Sequence, residues 1–227
     1  RSTWETLQMI DLRRDGDVFI LRMGNGENRF SPEFLGALQG ALNEVAAADG
    51  PRALVVTGTD KFFTNGLDLD WLGANPTRMG EYLDMVDDLF ARVITMPCPT
   101  AAAINGHAFG AGAMLSLVHD HRIMRDDRGF WCLPEIDLGM PFPPGMQAVV
   151  TSRLPVTTSH EAMLTAHRYP AAEALAKGIV EATASEADVL SSTIERIRPL
   201  AAHAGDNIAG VRSKLHATVL EALAQPN

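Results

Sequence analysis

Two short runs, Ala53-Leu54-Val55-Val56-Thr57 and Thr100-Ala101-Ala102-Ala103-Ile104, carry no charge and show no polar alternation. A strand that is apolar on both sides has to be covered on both sides, which calls for helices packed over a sheet. The neighbouring patterns supply them. Ser31 caps a helix with Pro32 at its first position, and Leu35, Leu38, Leu42 and Val45 carry its apolar face toward Gly50. A longer helix is predicted from Thr77 to Ile94, ended by the Pro97/Pro99 pair, after a helical stretch near Asp70. Upstream, Met9-Ile10-Asp11-Leu12 and Val18 to Met23 flank Asp15-Gly16, a strand–turn–strand signal. Downstream, Asn105-Gly106 reads as a turn, a small-residue helix runs from Gly110 to about His119, and Arg122-Ile123-Met124 forms another strand. From Pro143 to Asn227 the pattern is helical, with Gly178 a stop. The expected fold is an α/β core with a C-terminal helical region, without repeats or flexible linkers.

Composition narrows the partners. The chain has 227 residues and 28 Asp+Glu against 19 Lys+Arg, a net charge of −9. That length suits one domain with a substantial core. An acidic chain without clustered cations argues against a nucleic-acid surface and points to small-molecule or protein partners. Ala101 to Val118 is free of formal charge, but Asn105, His107 and three glycines make it core around a turn rather than a membrane span. Cys98 and Cys132 read as two reduced, buried thiols of a cytoplasmic protein. The opening Arg1-Ser2-Thr3 does not look like a signal peptide, and Gln225-Pro226-Asn227 is not a peroxisomal address.

Two glycine-bearing turns next to apolar helices stand out: Phe62-Phe63-Thr64-Asn65-Gly66-Leu67-Asp68-Leu69 and Asn105-Gly106-His107-Ala108-Phe109-Gly110-Ala111-Gly112. Such turns leave backbone N–H groups free to meet an anion or a developing oxyanion, and they equally suit close strand-to-helix packing. The dinucleotide, phosphate-loop and nucleophile-elbow motifs are all absent. His119 and His121 have no Cys, His or acid cluster around them, so no metal site is expected. Glu135 sits among Trp131, Leu133, Ile136 and Leu138. Read locally it is first a solvent-facing loop carboxylate. If those neighbours desolvate it, its pKa rises and it becomes suited to proton abstraction. Asp137 shares the ambiguity, while Asp68 reads as a helix cap and Asp60 as a turn residue.

Taken in order, Asn65-Gly66-Leu67-Asp68-Leu69, Asn105-Gly106-His107-Ala108, Pro134 to Gly139 and Ala172 to Val180 resemble the crotonase (enoyl-CoA hydratase/isomerase) superfamily over nearly the whole chain. Within it they look most like Δ3,Δ2-enoyl-CoA isomerases of the plant peroxisomal type and their bacterial relatives. The resemblance implies a spiral of ββα units over residues 1–153 holding an acyl-CoA site. It also implies a helical region over 154–227 that serves oligomerisation and pocket closure, and a homotrimer or hexamer. It places the oxyanion N–H groups at Leu67 and Ala111 and the catalytic acid at Glu135. The second glutamate of the hydratases falls on Met114, which can neither activate nor hold water. Lys61, Asn65, Gly66, Asp68, Gly110, Met114 and Phe142 are the implied substrate-binding positions.

By the same analogy Arg212 or Lys214 joins Lys61 as a partner for CoA phosphates, and the CoA thioester is substrate, with no cofactor. Met79, Leu83, Met114, Trp131, Phe142 and Met146 are candidates for the acyl-chain wall, although such residues fill cores by default. Isomerisation through a dienolate is the first expectation. Hydration, thioester hydrolysis or another enolate reaction assisted by Asp137 or His107 is the second, and a non-catalytic acyl-CoA binder the third.

Overall fold

The computed structural model describes residues 9–227. The N-terminal segment read above for targeting signals lies outside them. Six strands form the main sheet: β1 (Ile10–Asp15), β2 (Val18–Met23), β3 (Ala53–Thr57), β5 (Thr100–Ile104), β7 (His121–Arg125) and β9 (Ala182–Ala184), side by side in that order. β1 runs antiparallel to β2, and every later pairing is parallel. The two apolar runs are neighbours, with Leu54 opposite Thr100 and Val56 opposite Ala102.

Their lack of alternation now has a cause. Ala53, Val55, Ala101 and Ala103 pack under Ile197, near the end of α8 (Val189–Ile197), whereas Leu54, Val56, Ala102 and Ile104 face the main core. That core is shared with α1 (Pro32–Ala47) and α3 (Met79–Ile94). Ser31 Oγ accepts the N–H of Phe34, the predicted N-cap.

A second sheet was not anticipated from the residues. The strands β4 (Phe62–Thr64), β6 (His107–Phe109) and β8 (Trp131–Cys132) are two or three residues long, too short for a periodic signal, and pair in parallel as β4-β6-β8. They reveal a repeat invisible in the sequence. A strand of the long sheet leads to a strand of the short sheet and then to a helix, three times over: β3-β4-α2 (Leu69–Ala74), β5-β6-α4 (Ala111–Leu117) and β7-β8-α5 (Pro144–Arg153). The ββα spiral expected from the resemblance is therefore present.

Beyond α5 the chain forms α6 (Val156–Thr165), α7 (Ala171–Ala176), α8, α9 (Asp206–Leu215) and α10 (Ala217–Leu223). Gly178, at φ +71°, follows α7 as predicted. The expectation of helices alone is corrected by β9, which adds to the main sheet beside β7. Cys98 and Cys132 are both free and buried. Among the described residues no helix is long and apolar enough to cross a membrane.

Candidate active site

Because β4, β6 and β8 are parallel, their carboxyl ends open on the same side, where ligands of parallel sheets commonly bind. The three strand-to-helix junctions at those ends carry Asn65-Gly66-Leu67, Gly110-Ala111 and Pro134-Glu135. All but Gly66 line one cavity of about 350 Å³.

Two of the junctions touch backbone to backbone. A Cβ on Gly66 would stand 2.6 Å from the carbonyl oxygen of Phe109 and 3.0 Å from the nitrogen of Ala111, and Gly66 has φ +75°. Glycine alone meets both conditions. The contact brings Leu67 and Ala111 together in the lining of the cavity. The N–H group of each belongs to a peptide whose carbonyl is already engaged: Phe30 N–H donates to Gly66 O at 2.8 Å, and Met114 N–H to Gly110 O at 3.1 Å. In a trans peptide the C=O and N–H point opposite ways, so anchoring the carbonyl aims the donor. Neither the Leu67 nor the Ala111 N–H meets an acceptor among the described residues.

The third junction brings the acid. Glu135 is 9% exposed, and its Oε2 is buried without a hydrogen-bond partner. Burial pushes its carboxyl up to about 7, against the opposing pull of its own backbone N–H. The turn that holds it closes through Met140 N–H donating to Glu135 O at 2.9 Å. Arg29, which also lines the cavity, donates to Glu27 and to Asp70, both at 2.6 Å. Asn65 Nδ2 joins Glu27 Oε2 at 3.2 Å. The rest of the lining is largely apolar, with Leu67, Leu69, Phe109, Pro134, Leu138 and Met140. A cavity with one desolvated carboxylate beside two unclaimed N–H donors can move a proton next to a carbonyl whose oxygen gains charge.

A family model described as enoyl-CoA hydratase/isomerase matches residues 15–226. The chain belongs to that family. It is 32% identical over 222 residues to the peroxisomal enoyl-CoA delta isomerase 2 of Arabidopsis thaliana, covering 92% of each chain. The human mitochondrial delta3-delta2-enoyl-CoA isomerase superposes with a TM-score of 0.89 at 25% identity, over 95% of this chain and 86% of that one. An enoyl-CoA hydratase from Mycobacterium marinum superposes with a TM-score of 0.83 at 26% identity, over 95% of each. Both activities named by the family are thus represented among its relatives, and the chain has the crotonase fold.

Within this hydratase/isomerase scaffold several implied positions lie away from the cavity. Met114 is 1% exposed in the core of α4 and does not line the cavity. Phe142 is half-buried against the core, and Lys61 is exposed with its Nζ 5.4 Å from the Phe62 ring. Asp68 caps α2 by accepting Trp71 N–H, while its own N–H donates to Tyr82 Oη at 2.8 Å. The acyl-wall candidates are likewise elsewhere. Trp131 is buried with its indole N–H on Ser116 Oγ, Met146 is buried and Leu83 half-buried in the core, and Met79 is exposed at the start of α3. Arg212 is corrected most sharply: it is buried and donates to Met96 O, Cys98 O and Asp120, so it is unavailable to a phosphate. Lys214 is exposed on α9. Neither Asp137, which is exposed, nor His107, whose Nδ1 accepts Phe130 N–H, lines the cavity.

Sequence reasoning missed Arg29, Asp70, Leu69, Phe109, Leu138 and Met140 as lining residues. Leu138 and Met140 could have been found from their place in the turn that carries Glu135. Arg29 could not, because its partner Asp70 is 41 residues away.

Proposed function

We propose that the protein isomerises 3-enoyl-CoA thioesters to the conjugated 2-enoyl-CoA. The observation that carries this reading is the solitary desolvated carboxylate of Glu135 beside two unclaimed N–H donors, while the position of a second hydratase acid is occupied by the buried Met114. The other carboxylate lining the cavity, Asp70, is paired with Arg29. In this mechanism Glu135 takes a proton from C2, and the electron pair delocalises into a dienolate with its charge on the thioester oxygen. The N–H groups of Leu67 and Ala111 receive that oxygen; donors of this kind are worth roughly 10²–10³ in rate each. Glu135 then returns the proton at C4, leaving the double bond between C2 and C3. Proton and electron pair both stay on the substrate and one side chain, so nothing beyond the CoA thioester is consumed. Arg29, part-exposed in the lining and shared with Glu27 and Asp70, is the cation this reading offers to the CoA phosphates.

The same reading covers assembly and setting. Val156, Leu164 and Leu175, on α6 and α7, are exposed by 82%, 53% and 42%, which fits burial in a homotrimer or hexamer. The reduced, buried thiols fit a cytoplasmic location.

Incubation with a 3-enoyl-CoA and, separately, a 2-enoyl-CoA tests the proposal by ultraviolet absorbance of the conjugated thioester. Conjugation from the first substrate, abolished by Glu135→Gln, with the second left unhydrated, is the expected result. Loss of the 2-enoyl signal by water addition would assign a hydratase instead, and binding without any turnover would assign an acyl-CoA binder.

A further inference from the structure

From the buried contacts behind the first donor turn we infer that Thr64 is a positioning residue: its hydroxyl fixes Gly66, and through it the Leu67 N–H, relative to the helix that carries Ala111. The inference rests on the acyl-CoA reading above and adds the side chain that sets the donor geometry. A glycine at φ +75° keeps more backbone freedom than any other residue, so the peptide carrying the Leu67 N–H needs an anchor on each side of Gly66. One anchor is the Gly66 carbonyl, held by Phe30 N–H. The other is the Gly66 N–H, which donates to Thr64 Oγ1 at 3.0 Å. That hydroxyl gives its own proton to Asn28 O at 2.7 Å, which leaves its lone pairs for Gly66.

The acceptor behind Thr64 is itself held. Thr64 and Asn28 are both fully buried, and Asn28 sits at φ +52°, a left-handed conformation uncommon outside glycine. The Asn28 side chain secures it: Nδ2 donates to Phe63 O at 2.9 Å, and Oδ1 accepts Asn25 N–H at 2.8 Å. Asn65 N–H donates to Glu27 O at 2.9 Å, so residues 27–30 grip the end of β4 from Phe63 to Gly66. Thr64 also touches the second junction. A Cβ on Gly112 would stand 2.4 Å from Thr64 O and 2.8 Å from its Cγ2, so the second residue of α4 rests directly on Thr64. Both donor positions are thereby referred to one residue. Thr64 does not line the cavity, and its effect reaches a substrate only through the main chain.

Thr64→Val keeps the methyl and deletes the hydroxyl, leaving the Gly66 N–H and the Asn28 carbonyl without that partner, whereas Thr64→Ser keeps the hydroxyl and deletes the methyl. The readout is carbon-13 NMR of a saturated acyl-CoA enriched at its thioester carbonyl, which binds without turnover and whose resonance moves downfield as its oxygen gains hydrogen bonds. The parent is expected to displace that resonance, Thr64→Ser to keep the displacement and Thr64→Val to lose most of it. In turnover of a 3-enoyl-CoA, Thr64→Val is expected to lower kcat roughly tenfold to a hundredfold with KM within about threefold, and Thr64→Ser to restore kcat. A merely structural role would instead track the loss of melting temperature, which both variants share. A displacement kept in Thr64→Val, or lost equally in Thr64→Ser, would overturn the inference. Should Thr64→Val not fold, Thr64→Cys, whose thiol is a weak acceptor, is expected between Thr64→Ser and the free thioester, and parent-like behaviour there would overturn it too. A hydroxyl-dependent displacement in a protein that never conjugates a 3-enoyl-CoA would keep this inference and sink the isomerase. Conjugation at parental speed by Thr64→Val would do the opposite. A thioester that binds the parent with its carbonyl undisplaced, or does not bind at all, would remove both.

Discussion

Gly110 and Glu135 face each other so closely that a methyl group on Gly110 would stand 3.2 Å from Oε1 of the carboxylate. Gly110 also has φ +54°, where a side chain is strained. Gly110→Ala is therefore expected to lower kcat at least tenfold by displacing the carboxylate, and to cost roughly 1–3 kcal/mol of stability. Steady-state kinetics beside a thermal melt check both. A variant as active as the parent would mean that the carboxylate has room to spare.

Burial pushes the Glu135 carboxyl up from 4.5 to about 7, so the folded protein holds a proton there that the unfolded chain has released. Activity that needs the carboxylate should rise with pH through about 7. Stability should move the other way. The contribution of this group is fully present below about 4.5 and lost as pH climbs to about 7, on the order of 1–3 kcal/mol. Asp87, pushed up to about 6 chiefly by burial, adds a slope of the same sign at lower pH. Glu135→Gln isolates the first component: inactive, and more stable than the parent above pH 7 in denaturant titrations.

Arg29 and Arg212 should respond to removal in opposite ways. Arg29→Ala is expected to raise KM for a CoA thioester roughly tenfold with little effect on kcat, a difference that shrinks with added salt. Arg212→Ala leaves Asp120 and two carbonyls without their partner and should cost about 3–5 kcal/mol of stability, while the fraction that remains folded keeps its KM. Parallel melts and kinetics at two ionic strengths separate the two roles.

Restoring a glutamate at the hydratase position should not create a hydratase. Met114→Glu buries an unpaired carboxyl in a core site that is 1% exposed and outside the cavity wall. The expected outcome is a loss of several kcal/mol of stability, with no water addition to a 2-enoyl-CoA. Hydration by this variant would show that α4 can turn that side chain toward the substrate.

What was legible in the sequence was whatever has a local cause. The apolar runs 53–57 and 100–104, the Ser31 cap and the Gly178 stop each follow from neighbouring residues, and each stands where it was expected. The short strands β4, β6 and β8 were not legible, because their pairing comes from the packing of one ββα unit on the next. For the same reason the local reading left Glu135 undecided: its neighbours Ile136 and Leu138 turn outward, and its desolvation comes from Gly110 and the other junctions. Arg212 misled in the opposite sense, since a charged residue in a late, mostly polar helix gives no sign that its side chain reaches three acceptors in the core.

Phe30 holding the Gly66 carbonyl has a practical corollary for anyone dissecting this protein. The donor it aims belongs to the main chain, and Ala111 has almost no side chain to truncate. A conventional alanine scan leaves both N–H groups in place, reporting only lost packing at Leu67 and nothing at Ala111, and so credits the chemistry to Glu135 alone. Amide-to-ester replacement at residues 67 and 111, which deletes the hydrogen and keeps the side chain, is the perturbation that addresses them.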